Sequence, residues 1–134
     1  MTLASNGTHP VLIEQDVVLA RQLVRRLAQE CGMRLIDLTK LVTAVSELAR
    51  NTVVYGKGGY MDWAMVEKDH RPRVRLTFRD EGPGIPDLKL AMTDGWTSGS
   101  GLGLGLTGAK RLVDEFELDT APGQGTRVTI TRWA

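Results

Sequence analysis

The sequence predicts an α+β fold, a two-layer α/β sandwich in which three helices cover one face of a mixed, mainly antiparallel sheet. Two observations lead to this class. Several stretches carry apolar residues at the 3.6-residue period of amphipathic helices, and the later strands arrive as hairpins rather than as βαβ units. The length of 134 residues predicts a single domain, 1–134, that buries about two-thirds of its unfolded surface.

The second predicted helix is the clearest element. It opens at Asp37 and ends at the glycine-rich segment 56–59. Its apolar positions fall within one arc about 120° wide, which indicates a buried stripe. These positions are Leu38, Leu41, Val42, Val45, Leu48, Ala49 and Thr52.

Capping residues, glycines and polar turns bound the other elements. Asp16 is predicted to cap the first helix, which ends near Gly32. The other predicted helices are a short one at 88–92 and a third main helix at 107–115, and the predicted strands are 10–13, 60–66, 74–78, 116–120 and 126–133.

Composition excludes several classes of protein. A net charge of +1 gives no electrostatic reason to expect nucleic acid or an acidic membrane as a partner. The single cysteine, Cys31, excludes an internal disulfide and suits a reducing cytosol. No apolar run is long enough for a membrane span or a signal peptide, so we expect a cytoplasmic protein.

Two glycine-rich motifs indicate a nucleotide pocket. Asp80 is followed by Gly82 and Gly84, and a second run has glycine at alternate positions over 99–105 before a helix. Bare backbone N–H groups beside a helix N-terminus can wrap an anion such as a phosphate. Asp80, at a strand end, can accept a hydrogen bond from an exocyclic amine such as that of adenine, although a turn residue would look the same.

Other glycine-rich nucleotide sites fit less well. The run over 103–108 matches G-x-G-x-x-G, but a polar loop precedes it and too little chain follows for a dinucleotide-binding fold. A Walker A loop is absent, and the run lies too late in the chain for the hairpin of eukaryotic-type protein kinases. A flexible linker is the plain alternative, but the interleaved leucines argue against it.

Glu47 and Asn51 are candidate chemical residues on the second helix. They are four residues apart and therefore share one face, opposite the apolar stripe. An amide oxygen suits Mg²⁺, and a glutamate one turn earlier can serve as a base. The same pattern is also typical of a solvated helix face.

The order of these motifs resembles the GHKL ATPase superfamily, whose ATP-binding domain has the Bergerat fold. The resemblance covers about residues 12 to 133 and includes a further glycine motif at 123–126. Within the superfamily the chain is most similar to the anti-sigma-factor serine kinase group, and there to the switch kinase of the stressosome (RsbT-like). The segments that carry this closer resemblance are 46–51, 80–87 and 110–116.

The resemblance implies a role for each matching residue. Glu47 would be the catalytic base, Asn51 would ligate Mg²⁺, and Asp80 would bind the adenine amine of ATP with support from Thr126. Gly82 and Gly84 would let the backbone approach the base. The phosphates would be covered by Gly101, Leu102, Gly103, Leu104 and Gly105.

The resemblance also implies a function. It predicts a protein serine/threonine kinase that phosphorylates a STAS-domain partner and, once released, activates a PP2C-type phosphatase. The alternatives are an anti-sigma factor that sequesters a sigma subunit and a degenerate or hydrolytic ATPase. The chain lacks a phosphoacceptor-histidine hairpin and a transducer domain, so we expect it to act on a second protein.

The two histidines, the single cysteine and the three tryptophans are interpreted mainly as surface or packing residues. His9 and His70 are expected on the solvated surface, and Cys31, Trp63 and Trp133 are expected to pack in the core. Trp96 precedes the glycine run, where it could report on closure of the run or meet a partner.

Overall fold

In a computed structural model, the described residues 6–82, 105–120 and 123–134 form one five-stranded sheet with three helices. The strand order is β1-β2-β3-β5-β4, and every neighbouring pair is antiparallel. The elements are β1 (Asn6–Val11), α1 (Glu14–Glu30), α2 (Leu35–Val54), β2 (Gly59–Lys68), β3 (Arg71–Asp80), α3 (Gly105–Arg111), β4 (Glu115–Thr120) and β5 (Thr126–Trp133).

The hydrophobic core lies between the helices and one face of the sheet. Alternate residues of β3, namely Val74, Leu76 and Phe78, are buried there. The α2 helix buries the stripe that its periodicity predicts, together with Ala44. Burial of this many apolar side chains, at about 25 cal/mol per Å², is the main term that holds the helices on the sheet.

An ion pair joins the start of α2 to the far end of β5. The carboxylate of Asp37 accepts a hydrogen bond from Arg132 at 2.6 Å and another from Arg34 at 3.0 Å. Arg132 also donates to the carbonyl of Leu112, just after α3. The Asp37 and Arg132 side chains are each only 14% exposed. These hydrogen bonds hold the pKa of Asp37 below its usual value and tie three elements together.

The predicted fold class is confirmed, and several boundaries are corrected. The first strand begins at Asn6 and ends at Val11, earlier than the predicted 10–13, because polar residues pair with β2 along the sheet edge. The third helix ends at Arg111 rather than 115, since Glu115 already pairs with Thr131.

Both long helices begin earlier than their acidic residues indicate. Asp16 lies in the first turn of α1, where its carboxylate accepts hydrogen bonds from the N–H groups of Leu12 and Ile13. Asp37 likewise lies in the first turn of α2, which starts at Leu35. An acidic residue in the first turn and one at the cap give the same sequence signal.

Several predictions lie outside the described residues. They are the helix at 88–92, Trp96, Gly84 and the run Gly101, Leu102, Gly103 and Leu104. None of the helices in the described part of the chain is long and apolar enough to cross a membrane.

The predictions for the two histidines, the cysteine and two of the tryptophans are confirmed only in part. The His70 side chain is fully exposed, as predicted, but His9 is half-buried and its Nε2 is buried without a partner. Cys31 and Trp63 are partly buried against the core. Burial raises the pKa of the Cys31 thiol, which keeps it protonated. Trp133 packs instead beneath the guanidinium groups of Arg71 and Arg73.

Candidate nucleotide site

The α2 helix carries Glu47 and Asn51 one turn apart, both half-buried. Arg50, next to Asn51, is exposed and its guanidinium lies 3.5 Å from the Glu14 carboxylate. The face with Glu47 and Asn51 therefore differs from the freely solvated face of the same helix. Half-buried polar side chains on a rigid helix have defined positions, which a catalytic base or a metal ligand requires.

The C-terminal end of α2 packs directly against Asp80. The carbonyl of Asn51 accepts hydrogen bonds from the N–H groups of Tyr55 and Gly56. Gly56 is buried, and a Cβ atom added to it would overlap the Asp80 carboxyl group. Glycine is therefore required where the helix end packs against Asp80. Through Gly56, the structure connects the predicted metal ligand to the predicted adenine-binding residue.

Asp80 is a half-buried carboxylate without a cationic partner among the described residues. Backbone N–H groups of Gly82, at 2.9 Å, and Thr126 donate to it, which lowers its pKa. Desolvation is the larger effect, and the net result is a pKa raised above the usual value. A hydrogen-bond donor supplied by a ligand would therefore stabilise the charged form of this carboxylate.

The turn between β4 and β5 forms the other wall of the site. Thr126 faces Asp80 in the register of β3 and β5, and its hydroxyl lies 3.0 Å from that of Thr120. Gly125 has φ 79°, and a Cβ there would overlap the carbonyl of Asp80. Gly82 is similarly close to the backbone of Gly56. Glycines thus let three backbone segments converge on Asp80.

A cavity of about 640 Å³ opens at this end of the sheet. Its size is within the range of small-molecule pockets. Asp80, Gly125 and Thr126 line it, together with residues from the ends of β2 and β4 and with Leu12, which follows β1. Glu47 and Asn51 are not among the described residues that line this cavity.

The structure therefore brings together part of the predicted site. Asp80, Gly82 and Thr126 are in contact, and Asn51 is linked to them through the end of α2. Gly105 begins α3, which packs on α2. The sequence analysis treated Gly56 only as a helix terminator; the glycine-rich segment 56–59 was the available signal.

The donor set fits a magnesium ion that is held together with a nucleotide. Within the described ranges, no three His, Cys, Asp or Glu residues cluster closely enough to hold a metal alone. Mg²⁺ usually keeps several waters and takes phosphate oxygens with one or two protein ligands. An amide oxygen of Asn51 is a suitable protein ligand of that kind.

Comparison with protein families identifies the class. Residues 36–133 match the family of histidine kinase-, DNA gyrase B- and HSP90-like ATPases. The chain belongs to this family. The match spans α2, where Glu47 and Asn51 lie, and extends through β5.

Individual relatives narrow the class further. The chain is 41% identical over 123 residues to the serine/threonine-protein kinase RsbT of Bacillus subtilis, covering 92% of each protein. It is 31% identical over 127 residues to the anti-sigma F factor of Bacillus licheniformis, covering 90% of this chain and 86% of that protein. These relations place the chain among the serine/threonine-protein kinases of the family.

A solved structure supports the fold. The mycobacterial sensor histidine kinase MprB aligns with a TM-score of 0.56 over 96% of this chain and 97% of that chain. Sequence identity is 19%, so this similarity concerns the fold alone.

Proposed function

We propose that this protein uses MgATP to phosphorylate a serine or threonine of a STAS-domain protein. The proposal depends on one observation above all: a single rigid helix carries Glu47 and Asn51 one turn apart and ends, through Gly56, against the Asp80 carboxyl group. A base, a metal ligand and an adenine acceptor are thereby held in fixed relation, as phosphoryl transfer requires.

Asp80 would select adenine. Its carboxylate already accepts backbone N–H groups of Gly82 and Thr126 and has further acceptor capacity for an exocyclic amine. Thr126 would support Asp80 from the neighbouring strand. Gly56 packs directly against the Asp80 carboxyl group, and Gly82 packs against the backbone of Gly56. With Gly84, these glycines would let the backbone lie close to the base.

Asn51 would hold Mg²⁺, with water and phosphate oxygens completing its coordination. Glu47, half-buried one turn earlier, would take the proton of the attacking hydroxyl. When bound, MgATP would supply the phosphoryl group, and its Mg²⁺ would offset negative charge on the phosphate oxygens. The glycines at 101, 103 and 105 would donate backbone N–H groups to the phosphates.

The relatives support the choice of partners. Similarity to the serine/threonine-protein kinase RsbT supports a protein substrate with a serine or threonine acceptor. The STAS-domain substrate, the PP2C-type phosphatase that binds the released kinase, and a cytoplasmic partner-switching pathway of the stressosome type are what the motif resemblance implies. A phosphate adds a charge of about −1.5 to −2 to the substrate surface, enough to reverse a docking contact.

The decisive test measures transfer and binding separately. In Glu47→Gln, transfer from MgATP to a STAS-domain protein should fall about 10²–10⁴-fold while nucleotide affinity is retained, because glutamine keeps the shape but cannot accept a proton. In Asn51→Ala, Mg²⁺-dependent nucleotide affinity itself should fall. Glu117→Gln, an exposed change on β4, is the matched control. Full transfer activity in Glu47→Gln would exclude Glu47 as the base.

An anti-sigma factor remains the second candidate, favoured by the 31% identity to the anti-sigma F factor. The two functions separate in one experiment with radiolabelled ATP. Acid-stable phosphoserine or phosphothreonine on a STAS-domain protein supports the kinase. Tight binding to a sigma subunit without any phosphotransfer supports the anti-sigma factor.

A further inference from the structure

Two threonines face each other at the end of the sheet where the cavity lies. Thr120 ends β4, Thr126 begins β5, and their hydroxyl oxygens are 3.0 Å apart. Both residues line the cavity together with Asp80. The distance is that of a hydrogen bond, and in an isolated pair of hydroxyl groups either one could be the donor.

A carbonyl group decides the direction of this hydrogen bond. The Thr120 hydroxyl also lies 3.0 Å from the carbonyl oxygen of Gly125, which can only accept. A hydroxyl has one proton, so only one arrangement places a proton in each contact: Thr120 donates to Gly125, and Thr126 donates to Thr120. The opposite direction would leave the Thr120 and Gly125 oxygens 3.0 Å apart with no proton between them.

This direction determines what Thr126 offers to a ligand. Its hydroxyl proton is directed at Thr120, so the oxygen has only lone pairs left for another group. The backbone N–H of Thr126 is also used, because it donates to the Asp80 carboxylate. Asp80, while ionised, is likewise an acceptor only. The side chains of two paired residues on β3 and β5 therefore present acceptors at the same end of the sheet.

We propose that Thr120 is a positioning residue of the nucleotide site, which holds the Thr126 hydroxyl as an acceptor and so favours a purine with an exocyclic amino group over one with an oxo group at that ring position. The inference deepens the proposed function and rests on it. An amino group donates to acceptors, whereas an oxo oxygen brings lone pairs against them.

A bridging water would impose the same preference. A water molecule held between Asp80 and Thr126 would donate one proton to each of these two acceptors. It would then have only lone pairs left for the base and would require a donor there. The selection of an amino group by Thr120 therefore holds for direct and for water-mediated contact.

Thr120→Val tests the inference because valine keeps the branched shape and lacks the hydroxyl. The Thr126 proton then loses its acceptor and becomes available to Asp80 or to an oxo group of the ligand. Donation to Asp80 weakens binding of the amino base, and donation to an oxo group strengthens binding of the oxo base. Both changes lower the preference, by about 3- to 10-fold for one neutral hydrogen bond.

Titration calorimetry with MgADP and with the magnesium complex of inosine diphosphate (IDP) measures the preference, since IDP has an oxo group where ADP has the amino group. The parent should bind ADP at least about 100-fold more tightly than IDP. Thr120→Ser keeps the hydroxyl and should retain the parent's ratio. Thr129→Val is the matched control, because Thr129 shares a 3.1 Å hydroxyl contact with Thr77 but does not line the cavity. Its ratio should equal the parent's.

A second background shows whether Thr120 acts through Thr126. Thr126→Val has no hydroxyl to orient, so adding Thr120→Val to it should change the ratio of the two Kd values by less than about twofold. A purely structural role of Thr120 would change the ratio equally in both backgrounds. Circular dichroism confirms that each variant is folded, and Thr120→Ala, which adds no bulk, carries the same expectation as Thr120→Val.

The outcomes separate this inference from the proposed function. A parent that binds neither nucleotide overturns both. A parent that prefers ADP, with an unchanged ratio in folded Thr120→Val and Thr120→Ala, overturns the inference and leaves the proposed function standing. An equal fall in both backgrounds, or a Thr120→Ser variant that loses the preference as Thr120→Val does, also overturns the inference alone.

Discussion

Two carboxylates near opposite ends of α2 have opposite surroundings. Asp37, at the start, accepts hydrogen bonds from two arginines, and these hydrogen bonds lower its pKa. Asp80, packed against the other end, receives only backbone N–H groups, and burial raises its pKa. Both groups are partly removed from water, yet only Asp37 has a charged partner among the described residues.

The difference distinguishes the structural role of Asp37 from the binding role proposed for Asp80. Two arginines, Arg34 and Arg132, balance the charge of Asp37, which serves to join α2 to β5. Two backbone N–H groups compensate only part of the desolvation of the Asp80 carboxylate, and a hydrogen-bond donor of a ligand can supply more. A desolvated carboxylate without a charged partner, beside several close-packed glycines, is a better indication of a ligand site than burial or charge alone.

The largest expected effect is on nucleotide affinity in Asp80→Asn. An amide presents a donor where the adenine amine needs an acceptor, so a charge-assisted hydrogen bond is lost. The cost is about 1.5–3 kcal/mol, or roughly 10- to 150-fold in Kd. Titration calorimetry with MgADP measures it. Asp37→Asn should bind with parental affinity, and equal losses in both variants would remove the distinction between them.

Gly56→Ala should weaken nucleotide binding about tenfold by displacing the Asp80 carboxyl group. Gly32→Ala is the matched control. Gly32 has φ 78° with nothing near its missing Cβ, so that variant should lose about 1 kcal/mol of stability and no affinity. The same calorimetry, with thermal unfolding alongside, compares them. Parental affinity in Gly56→Ala would show that Asp80 has room to adjust.

Asp37→Asn should lower the free energy of unfolding and the Tm, because Arg132 and Arg34 lose their charged partner. Thermal unfolding at neutral pH measures the loss. Asp69→Asn, in the exposed turn between β2 and β3 with φ 56°, is a control, since asparagine tolerates that conformation. A Tm equal to the parent's would mean that the ion pair contributes nothing net.

Mild acid should protonate Asp80 before Asp37. Because the pKa of Asp80 is raised, its protonation begins above the pH at which an ordinary aspartate titrates, and nucleotide affinity should fall a fewfold there. Asp37 has a lowered pKa, so its contribution to stability is complete above about pH 4 and is lost only as pH falls through the folded pKa. Affinity measured against pH in the parent and in Asp80→Asn checks this; identical profiles would contradict it.

The sequence predicted the features that depend on local patterns. The stripe of α2 and the Glu47–Asn51 spacing follow from helical periodicity, and the hairpins follow from polar turns. The polar strand Asn6–Val11 extends beyond its predicted bounds because pairing with β2, not composition, makes it a strand.

Long-range features could not be predicted in the same way. Asp37 and Arg132 are 95 residues apart, and no local signal joins them. Gly56 was identified as a helix end, but its contact with Asp80 depends on how α2 lies on the sheet. The roles of Gly84, Gly101, Leu102, Gly103 and Leu104 stay predictions, since these residues lie outside the described ranges.

The ion pair at the start of α2 also makes this helix intolerant of changes in length. Asp37 and the buried stripe of α2 both face fixed partners, and Glu47 follows Asp37 by ten residues, or about 15 Å. One inserted residue between them would turn Glu47 and Asn51 by about 100° away from their present face. The hairpin turn at Asp69 and His70 is exposed and makes no contact with the core, so it has no such constraint. Among natural variants of this chain, insertions should therefore accumulate at that turn and be excluded from residues 37 to 51.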